Sequence, residues 1–405
     1  MFRLVKMAIR DLGRNRRRSF FSALALGMGL ALLLLMASVI KGEMRGAMET
    51  SIKLQSGHLQ VRAGSYDENK TSLAYEDLIE NPDRIAAQIA SLAPVAVATP
   101  RLFASGVVTV GNESVGVRVI GIDPPSPANQ PYRDGLVSGQ FLTADDRQGI
   151  LVGQELAKKL HLNAGDQVSL LVNTSNGDVD TQQFILRGIY TTHTPAFDQS
   201  VVFMPLAKAQ AITRTENHAS TIFVLLKDRD QLDAVVAALQ TGQYKVLTYL
   251  QMNEILSQTE QLARGYMVLL YLIVLAITAA VIVNTLIMAV FERTREIGIL
   301  SAIGMRSSRI MAMFFAESSL LAVGGILIGL VLGAILVFLA STYGIYIGNM
   351  GITGILMGER IYAYPAYNDY VTLTIIAFVV TLIGALYPAL LAARMEPVEA
   401  LHSGQ

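Results

Sequence analysis

Four long apolar runs constrain this chain more than any other feature of its sequence. Residues 19–40 and 265–291 contain 22 and 27 residues without a single charge, and two further apolar runs cover 310–347 and 370–393. About 20 consecutive apolar residues are enough for a helix to cross the hydrocarbon core of a bilayer. The sequence therefore predicts four membrane-spanning helices, and the hydrophobic content of 52% agrees with a membrane protein.

A basic segment precedes the first run. Residues 1–18 contain seven Lys or Arg and one acidic residue, and Phe2, Val5 and Ile9 recur on one helical face. This pattern predicts a basic amphipathic helix that lies on the cytoplasmic surface of the membrane. A signal peptide has an apolar region of only about 7 to 15 residues, so the first run is predicted to be an anchor.

Residues 41–264 are predicted to form an extracytoplasmic domain on two helical stalks. Helical spacing continues past residue 41 to about residue 55 and returns over 249–264. Between the stalks, the predicted strands begin at His58, Gly106, Val115, Gln167, Gln183, Val201 and Thr221, and the predicted helices cover 82–92, 154–160, 206–213 and 231–239. The expected fold class is a membrane α-helical protein with four transmembrane helices and an inserted α+β extracytoplasmic domain. The proline-rich segment 121–131 is expected to be either a hinge between two α+β subdomains or a surface loop.

The connector 292–309 between the second and third runs is short and basic. Short loops that carry Lys and Arg remain in the cytoplasm, and this one contains Arg293, Arg295, Arg306 and Arg309. A short surface helix is predicted within it. The four spans then place both termini, including the tail 394–405, in the cytoplasm, and the outer loop 348–369 on the same side as the large domain.

The chain has no recognisable catalytic motif. It contains no Gly-Lys dipeptide and therefore no Walker A loop, and it has neither a G-x-S-x-G elbow nor an H-E-x-x-H motif. It has no cysteine, and its five histidines are scattered without ligand spacing. No metal, cofactor or catalytic residue is expected, and any energy must come from a partner. The formal net charge of zero gives no reason to expect nucleic acid as a partner.

One carboxylate lies within the third span. Glu317 is seven residues from the predicted start of this span, and a charge in the membrane interior usually has a partner or a function. It is expected to pair with Arg293, Arg295 or Arg309. A role in a proton relay is the alternative, although no second buried acid accompanies it.

Two other features of the spans concern helix packing. Asn284 in the second span is expected to form an interhelical hydrogen bond. Gly325, Gly329 and Gly333 form a stripe of small residues that permits close contact between helices. That contact is expected either within one chain or between subunits.

Six segments together resemble one family of membrane proteins. They are ERTREIGILSAIGM (292–305), LYPALLAARMEPVEAL (386–401), VIGIDPP (119–125), DGLVSGQFL (134–142), ILVGQELAKKLHLNAGDQVSLLV (150–172) and LRGIYTTHTPAFDQSVVFMPLAKAQ (186–210). In their order along the chain they resemble the MacB/FtsX-type ABC transporter permeases, and within them the lipoprotein-releasing LolC/LolE branch. His193 and Pro195 stand where that pattern has a glycine-containing turn.

The resemblance implies two permeases, as a homodimer or a heterodimer, with two separate cytoplasmic ABC ATPase subunits. It also implies a set of residues that couple the permease to the ATPase: Glu292, Arg293, Arg295, Glu296, Gly298 and Gly304. In the outer domain, the loop 191–200 would recruit a periplasmic lipoprotein carrier or adaptor through His193, Phe197 and Asp198. Phe197 is expected either to be an exposed anchor for this partner or to fold back onto the domain.

The function that the resemblance implies is mechanical transmission without enzymatic activity. The chain is expected to lie in the inner membrane and to couple ATP hydrolysis to the release of lipoproteins. Efflux of macrolides, peptides or lipids is the first alternative. An FtsX-like signalling subunit that activates a periplasmic hydrolase is another, and a sensor receptor is a third.

Overall fold

The computed structural model describes residues 7–8, 10, 13–14, 16–67, 72–240, 244–348 and 358–395. Most of the amphipathic helix predicted over 1–18 lies outside these residues, as do 349–357 of the outer loop and 396–405 of the tail. In chain order, the α-helices are α1 (Arg16–Ser51), α2 (Pro82–Ala90), α3 (Gln130–Asp134), α4 (Gln154–Lys159), α5 (Pro195–Ser200), α6 (Leu206–Thr213), α7 (Leu232–Leu239), α8 (Tyr249–Met252), α9 (Glu254–Glu292), α10 (Thr294–Ala302), α11 (Ser307–Tyr343) and α12 (Tyr367–Ala393).

The strands belong to one large sheet and two short pairs. In chain order they are β1 (Leu59–Arg62), β2 (Ile79–Glu80), β3 (Val95–Val110), β4 (Glu113–Ile122), β5 (Leu136–Gly139), β6 (Gly149–Gly153), β7 (Gln167–Asn173), β8 (Val179–Tyr190), β9 (Val201–Pro205), β10 (His218–Ala219), β11 (Thr221–Leu226), β12 (Lys245–Thr248), β13 (Ile345–Tyr346) and β14 (Arg360–Ile361). A π-helical turn, Ile52–Ser56, follows α1.

The chain divides into two compact units. The helical unit comprises the described residues of Met1–Glu43, Glu260–Ile345 and Ile361–Gln405. The sheet domain comprises the described residues of Met44–Thr259 and Tyr346–Arg360. The division follows the sequence pattern, because the apolar runs fall in the first unit and the alternating segments in the second.

Four helices are long and apolar enough to cross a membrane: α1 with its π-helical turn, α9, α11 and α12. Each begins before the apolar run that predicted it. Helix α1 continues past residue 40 to Ser51, and α9 begins at Glu254, eleven residues before its uncharged run. Helix α11 ends at Tyr343, not at residue 347, because Gly344 takes a φ of 66° and stops the helix. The chain is a multi-pass membrane protein.

The sheet domain is built around a ring of six strands. Strands β3, β4, β9, β6 and β8 are hydrogen-bonded in this order, and β7 pairs with both β8 and β3, which closes the ring. Within the ring, β4 pairs with β9 and β6 with β8 in parallel, and the other pairs are antiparallel. Fully buried residues from several of these strands, such as Val108, Ile150 and Leu186, belong to one hydrophobic cluster.

The amino-terminal half of β3 belongs to a second, open part of the sheet. It pairs with β11, which is followed by β1 and β12. The two parts of the sheet are therefore joined by the 16-residue strand β3. The proline-rich segment 121–131 does not join two compact units, because all of it lies inside the sheet domain. It ends β4 and leads into α3, whose Tyr132 is completely buried.

Candidate coupling site and outer loop

The connector between α9 and α11 forms the short helix α10. Gly304 lies just beyond the end of this helix and takes a φ of 92°, a left-handed conformation that favours glycine. Its N–H donates to the carbonyl oxygen of Ser301 at 3.0 Å, and the N–H of Met305 donates to that of Leu300 at 3.0 Å. These two bonds form a Schellman motif, which satisfies carbonyl groups that the helix end would otherwise leave unpaired. Gly304 thus fixes the turn into α11.

Apolar packing holds α10 against three other helices. Ile297 is buried in a cluster with Val290 at the end of α9, Phe314 near the start of α11 and Ala389 near the end of α12. A fully buried Ile stabilises a structure by about 1.5–3 kcal/mol relative to an exposed one. Helix α10 is thus packed against the ends of α9 and α12 and the start of α11.

A buried ion pair adds a polar contact between the same elements. Arg293 Nη1 lies 3.5 Å from Glu317 Oε2, and both side chains are at most 4% exposed. Arg293 is thus the one of the three arginines considered above that faces this carboxylate at ion-pair distance. Loss of one member of a buried ion pair is costly because the other charge remains in a medium of low polarity. The pair joins the beginning of α10 to α11.

The residues predicted to couple the permease to an ATPase fall into two groups. Glu292, Arg295 and Glu296 are exposed, and so is Gly304, whereas Arg293 and Gly298 are buried. Arg293 and Gly298 are therefore not available on the surface of the connector, and their predicted part in coupling would act through packing. They belong to the packed face of this segment.

The exposed side of α10 also contains apolar residues that were not among the predicted contacts. Ile299 is 43% exposed, and Ile303, directly after the helix, is 80% exposed. In contrast to these two residues, Ile297 is buried.

The glycine stripe of α11 packs against α1 within one chain. A Cβ atom at Gly325 would lie 2.5 Å from Leu26 Cδ2, and one at Gly329 would lie 2.8 Å from the carbonyl oxygen of Gly27. Gly333 approaches α1 in the same way one turn further on. A larger side chain at these positions would separate the helices, so the stripe sets their distance.

Among the described residues, Asn284 does not form the expected interhelical hydrogen bond. Its side chain is exposed on α9 and has no hydrogen-bond partner in the part of the chain that the structure describes. At this depth, a polar contact between α9 and α1 comes from Thr285, whose hydroxyl lies 2.9 Å from that of Ser22. The helical turn at this point directs residue 285, and not residue 284, toward the neighbouring helix.

In the sheet domain, Phe197 is buried and not an exposed anchor. It lies in helix α5 and is 3% exposed. Its ring stacks parallel to that of Tyr132, with centroids 6.1 Å apart, and also contacts Phe203. The expectation that Phe197 binds a partner is therefore wrong, and the alternative, that it folds back onto the domain, is correct.

Asp198 fastens the loop before α5. Its carboxylate accepts hydrogen bonds from the hydroxyls of Thr191 at 2.8 Å and Thr192 at 2.7 Å, and from the N–H of Thr192 at 3.0 Å. Burial raises the pKa of Asp198, while the hydrogen bonds from both threonines oppose this effect. Of the three residues predicted to recruit a partner, only His193 is exposed, with a φ of 54°.

These features define a class of protein: a multi-pass membrane protein with a large α/β domain outside the bilayer and a short helix that connects two spans. A family model described as the MacB-like periplasmic core domain matches residues 19–241, and one described as the FtsX-like permease C-terminal matches 268–397. The chain belongs to this family. It is an ABC transporter permease of the MacB/FtsX and LolC/LolE type.

Curated relatives with three different names are similar to the chain. The lipoprotein-releasing system transmembrane protein LolE of Haemophilus influenzae is 26% identical over 95% of this chain and 94% of its own length. LolC of Xylella fastidiosa, from the same kind of system, is 26% identical over 66% of each protein. The macrolide export ATP-binding/permease protein MacB of a Shewanella species is 26% identical over 98% of this chain, which spans only 60% of that relative.

Proposed function

We propose that this chain is the membrane subunit of an ABC transporter that releases lipoproteins from the inner membrane. The observation that carries the proposal is the arrangement of α10. Its buried side is fastened to three spans through Ile297 and the Arg293–Glu317 pair, while Arg295 and Ile303 remain exposed. A segment with one fixed side and one exposed side suits the transmission of force from a partner.

The partner that supplies the force is a separate ABC ATPase, which docks on the exposed side of α10. Two permeases and two ATPase subunits form the complex. Closure of the ATPase dimer on ATP displaces α10, and the packed residues transfer this movement to α9, α11 and α12. The large domain changes conformation in response, and cargo is extracted without passing through a channel.

The orientation follows from the charges around α10. The connector 292–309 contains four arginines: Arg293, Arg295, Arg306 and Arg309. Short loops rich in Arg remain in the cytoplasm. Both termini are then cytoplasmic, and the sheet domain lies in the periplasm. There it meets a soluble lipoprotein carrier or an adaptor protein.

The choice of lipoproteins as cargo rests on the relatives. The similarity to LolE extends over 94% of that protein, whereas the chain spans only 60% of the MacB relative. Macrolide export is the second candidate, because the identity to MacB is the same, 26%. A subunit that activates a periplasmic hydrolase is the third, and the FtsX-like match over 268–397 supports it.

Reconstitution separates these candidates. The chain is incorporated into proteoliposomes together with a candidate ABC ATPase from the same genome and a fluorescent lipoprotein, with a soluble carrier protein outside. ATP-dependent transfer of the lipoprotein to the carrier is the expected result. ATP hydrolysis stimulated by a macrolide, without lipoprotein transfer, would assign the chain to export.

Two charge-reversal variants, one in α10 and one control, test the role of α10. Arg295→Glu reverses an exposed charge and is expected to abolish ATP-dependent release, while the protein keeps its thermal stability. Arg264→Glu reverses another exposed Arg, in α9 and away from the connector, and is expected to leave release intact. Equal loss of release in both variants would contradict the assignment of α10 as the ATPase contact.

A further inference from the structure

A basic cavity lies at the start of α1. It has a volume of about 580 Å³ and is lined by Gly13, Arg14, Arg16, Arg17, Arg18 and Glu292. Four guanidinium groups therefore meet one carboxylate. Such an excess of positive charge around a cavity is suited to an anionic ligand.

Two of the four arginines already have carboxylate partners. Arg18 Nη1 lies 2.6 Å from Glu292 Oε2, and Arg14 Nη2 lies 2.9 Å from Glu296 Oε1. These ion pairs neutralise half of the positive charge at the cavity. They also connect its wall to the connector that contains α10.

The other two arginines are available for a ligand. Arg16 and Arg17 are exposed, and neither forms an ion pair with a described residue. Arg16 uses its Nε to donate to the carbonyl oxygen of Gly13 at 3.1 Å, which fixes the side chain and leaves its terminal nitrogens as donors. A guanidinium binds phosphate oxygens with two parallel hydrogen bonds, a geometry that an ammonium group cannot offer.

The position of the cavity indicates where the phosphate comes from. Its arginines directly precede Ser19, the first residue of the uncharged run 19–40 in the membrane-spanning helix α1. Basic residues at the end of a span lie at the depth of the lipid headgroups, where they attract anionic lipids. A soluble phosphate would have to compete with headgroups that are present at high local concentration.

We propose that this cavity binds the phosphate group of an anionic phospholipid, with Arg16 and Arg17 as its ligands. One phosphodiester charge offsets part of the remaining charge of these two residues. The bound lipid then lies beside the ion pairs of Arg14 and Arg18. Its binding is a property of the permease chain alone and does not depend on the cargo or the ATPase.

The test measures lipid binding to the purified full-length chain by native mass spectrometry. The probes are dioleoyl-phosphatidylglycerol, which is anionic, and dioleoyl-phosphatidylcholine, which has the same acyl chains and no net charge. We expect one phosphatidylglycerol molecule to bind more tightly than phosphatidylcholine. The variant Arg16→Gln/Arg17→Gln is expected to weaken that binding about thirtyfold, which corresponds to about fivefold for each arginine.

The matched control is Arg306→Gln/Arg309→Gln. It removes two exposed arginines beside the same connector that do not line the cavity. This variant should bind phosphatidylglycerol like the unchanged chain, and thermal unfolding should show that both variants are folded. An equal loss in both variants, or no preference for phosphatidylglycerol in the unchanged chain, would overturn the proposal.

A third arm distinguishes lipid from soluble phosphate. Inorganic phosphate at millimolar concentration is added to the complex with phosphatidylglycerol. We expect the lipid to remain bound. Displacement of the lipid would overturn the lipid assignment and identify the cavity as a site for soluble phosphate.

Discussion

The hydroxyl of Tyr132 donates a hydrogen bond to the carbonyl oxygen of Leu54 at 2.7 Å. Leu54 lies in the π-helical turn that follows α1, and Tyr132 is completely buried in the sheet domain. Arg101 donates to the same carbonyl oxygen through Nη1 at 3.2 Å. Burial raises the pKa of Tyr132, so its hydroxyl keeps the proton that it donates. The two side chains fasten the π-helical turn to β3 and α3.

Tyr132→Phe tests this contact. The change removes the hydroxyl and leaves the aromatic packing, so the carbonyl of Leu54 loses one of its two side-chain donors. A buried hydrogen bond of this kind contributes about 1 kcal/mol, and we expect the free energy of unfolding to fall by that amount. Thermal unfolding of the full-length protein measures it.

Tyr75→Phe is the matched control for Tyr132→Phe. The hydroxyl of Tyr75 also donates to a backbone carbonyl, that of Arg214, at 2.8 Å, but its side chain is 49% exposed. Water replaces the lost hydroxyl there, so the melting temperature should remain unchanged. A decrease in melting temperature of equal size in both variants would show that burial of the hydrogen bond to Leu54 does not increase its contribution to stability.

The strand β3 shows where the sequence pattern fails. Its second half, with GVVTV beginning at Gly106, was predicted from the apolar residues, but its first half was not. Pro100 lies in that half and pairs with Ile222 of β11. Proline lacks an N–H for the ladder and argues against an internal strand. A proline at this position is acceptable only in the context of the complete sheet, and the local sequence pattern does not predict it.

Burial is the second property that the local pattern did not determine. The spans, the helix α6 at residues 206–213 and the connector 292–309 follow from periodicity and charge, because those signals are local. The burial of Phe197 depends on Tyr132 and Phe203, which come from other segments of the chain. The pairing of Arg293 with Glu317 was expected only as one of three choices, since helix packing decides it.

Phe197→Ala should destabilise the sheet domain. The change leaves a cavity among the aromatic rings of Tyr132, Tyr190 and Phe203, and truncation of a buried Phe costs about 3–5 kcal/mol. Thermal unfolding of the full-length protein should show a clear decrease in the melting temperature. Val179→Ala, at a side chain that is 64% exposed, is the control and should change it little. An unchanged melting temperature for Phe197→Ala would contradict the burial of this ring.

Gly304→Ala should impair coupling through backbone strain. Gly304 takes a φ of 92°, and a left-handed conformation costs an alanine about 1–2 kcal/mol. The control is Gly265→Ala in α9, because an added Cβ meets no atom within 4 Å at either position and only Gly304 has a positive φ. ATP-dependent cargo release should decrease for Gly304→Ala alone. Full release by that variant would show that the turn after α10 tolerates a different geometry.

The pair of Arg293 and Glu317 permits a double-mutant cycle. Arg293→Met leaves the buried carboxylate of Glu317 without its guanidinium partner, and removal of one member of a buried pair costs about 3–5 kcal/mol. The double variant Arg293→Met/Glu317→Met removes both charges and should recover most of the lost stability, because apolar residues of similar volume replace a buried pair at little cost.

Thermal unfolding of the single and double variants measures this coupling, and a transport assay measures its consequence. Glu317→Gln also removes one member of the buried pair, so it should lower the free energy of unfolding by about 3–5 kcal/mol. It should leave the pH dependence of cargo release unchanged, since the carboxylate acts as a structural partner of Arg293. A double variant no more stable than Arg293→Met would exclude the coupling. A pH profile that disappears in Glu317→Gln would instead assign a proton-transfer role to Glu317, because only a titrating group in the transport cycle would produce that result.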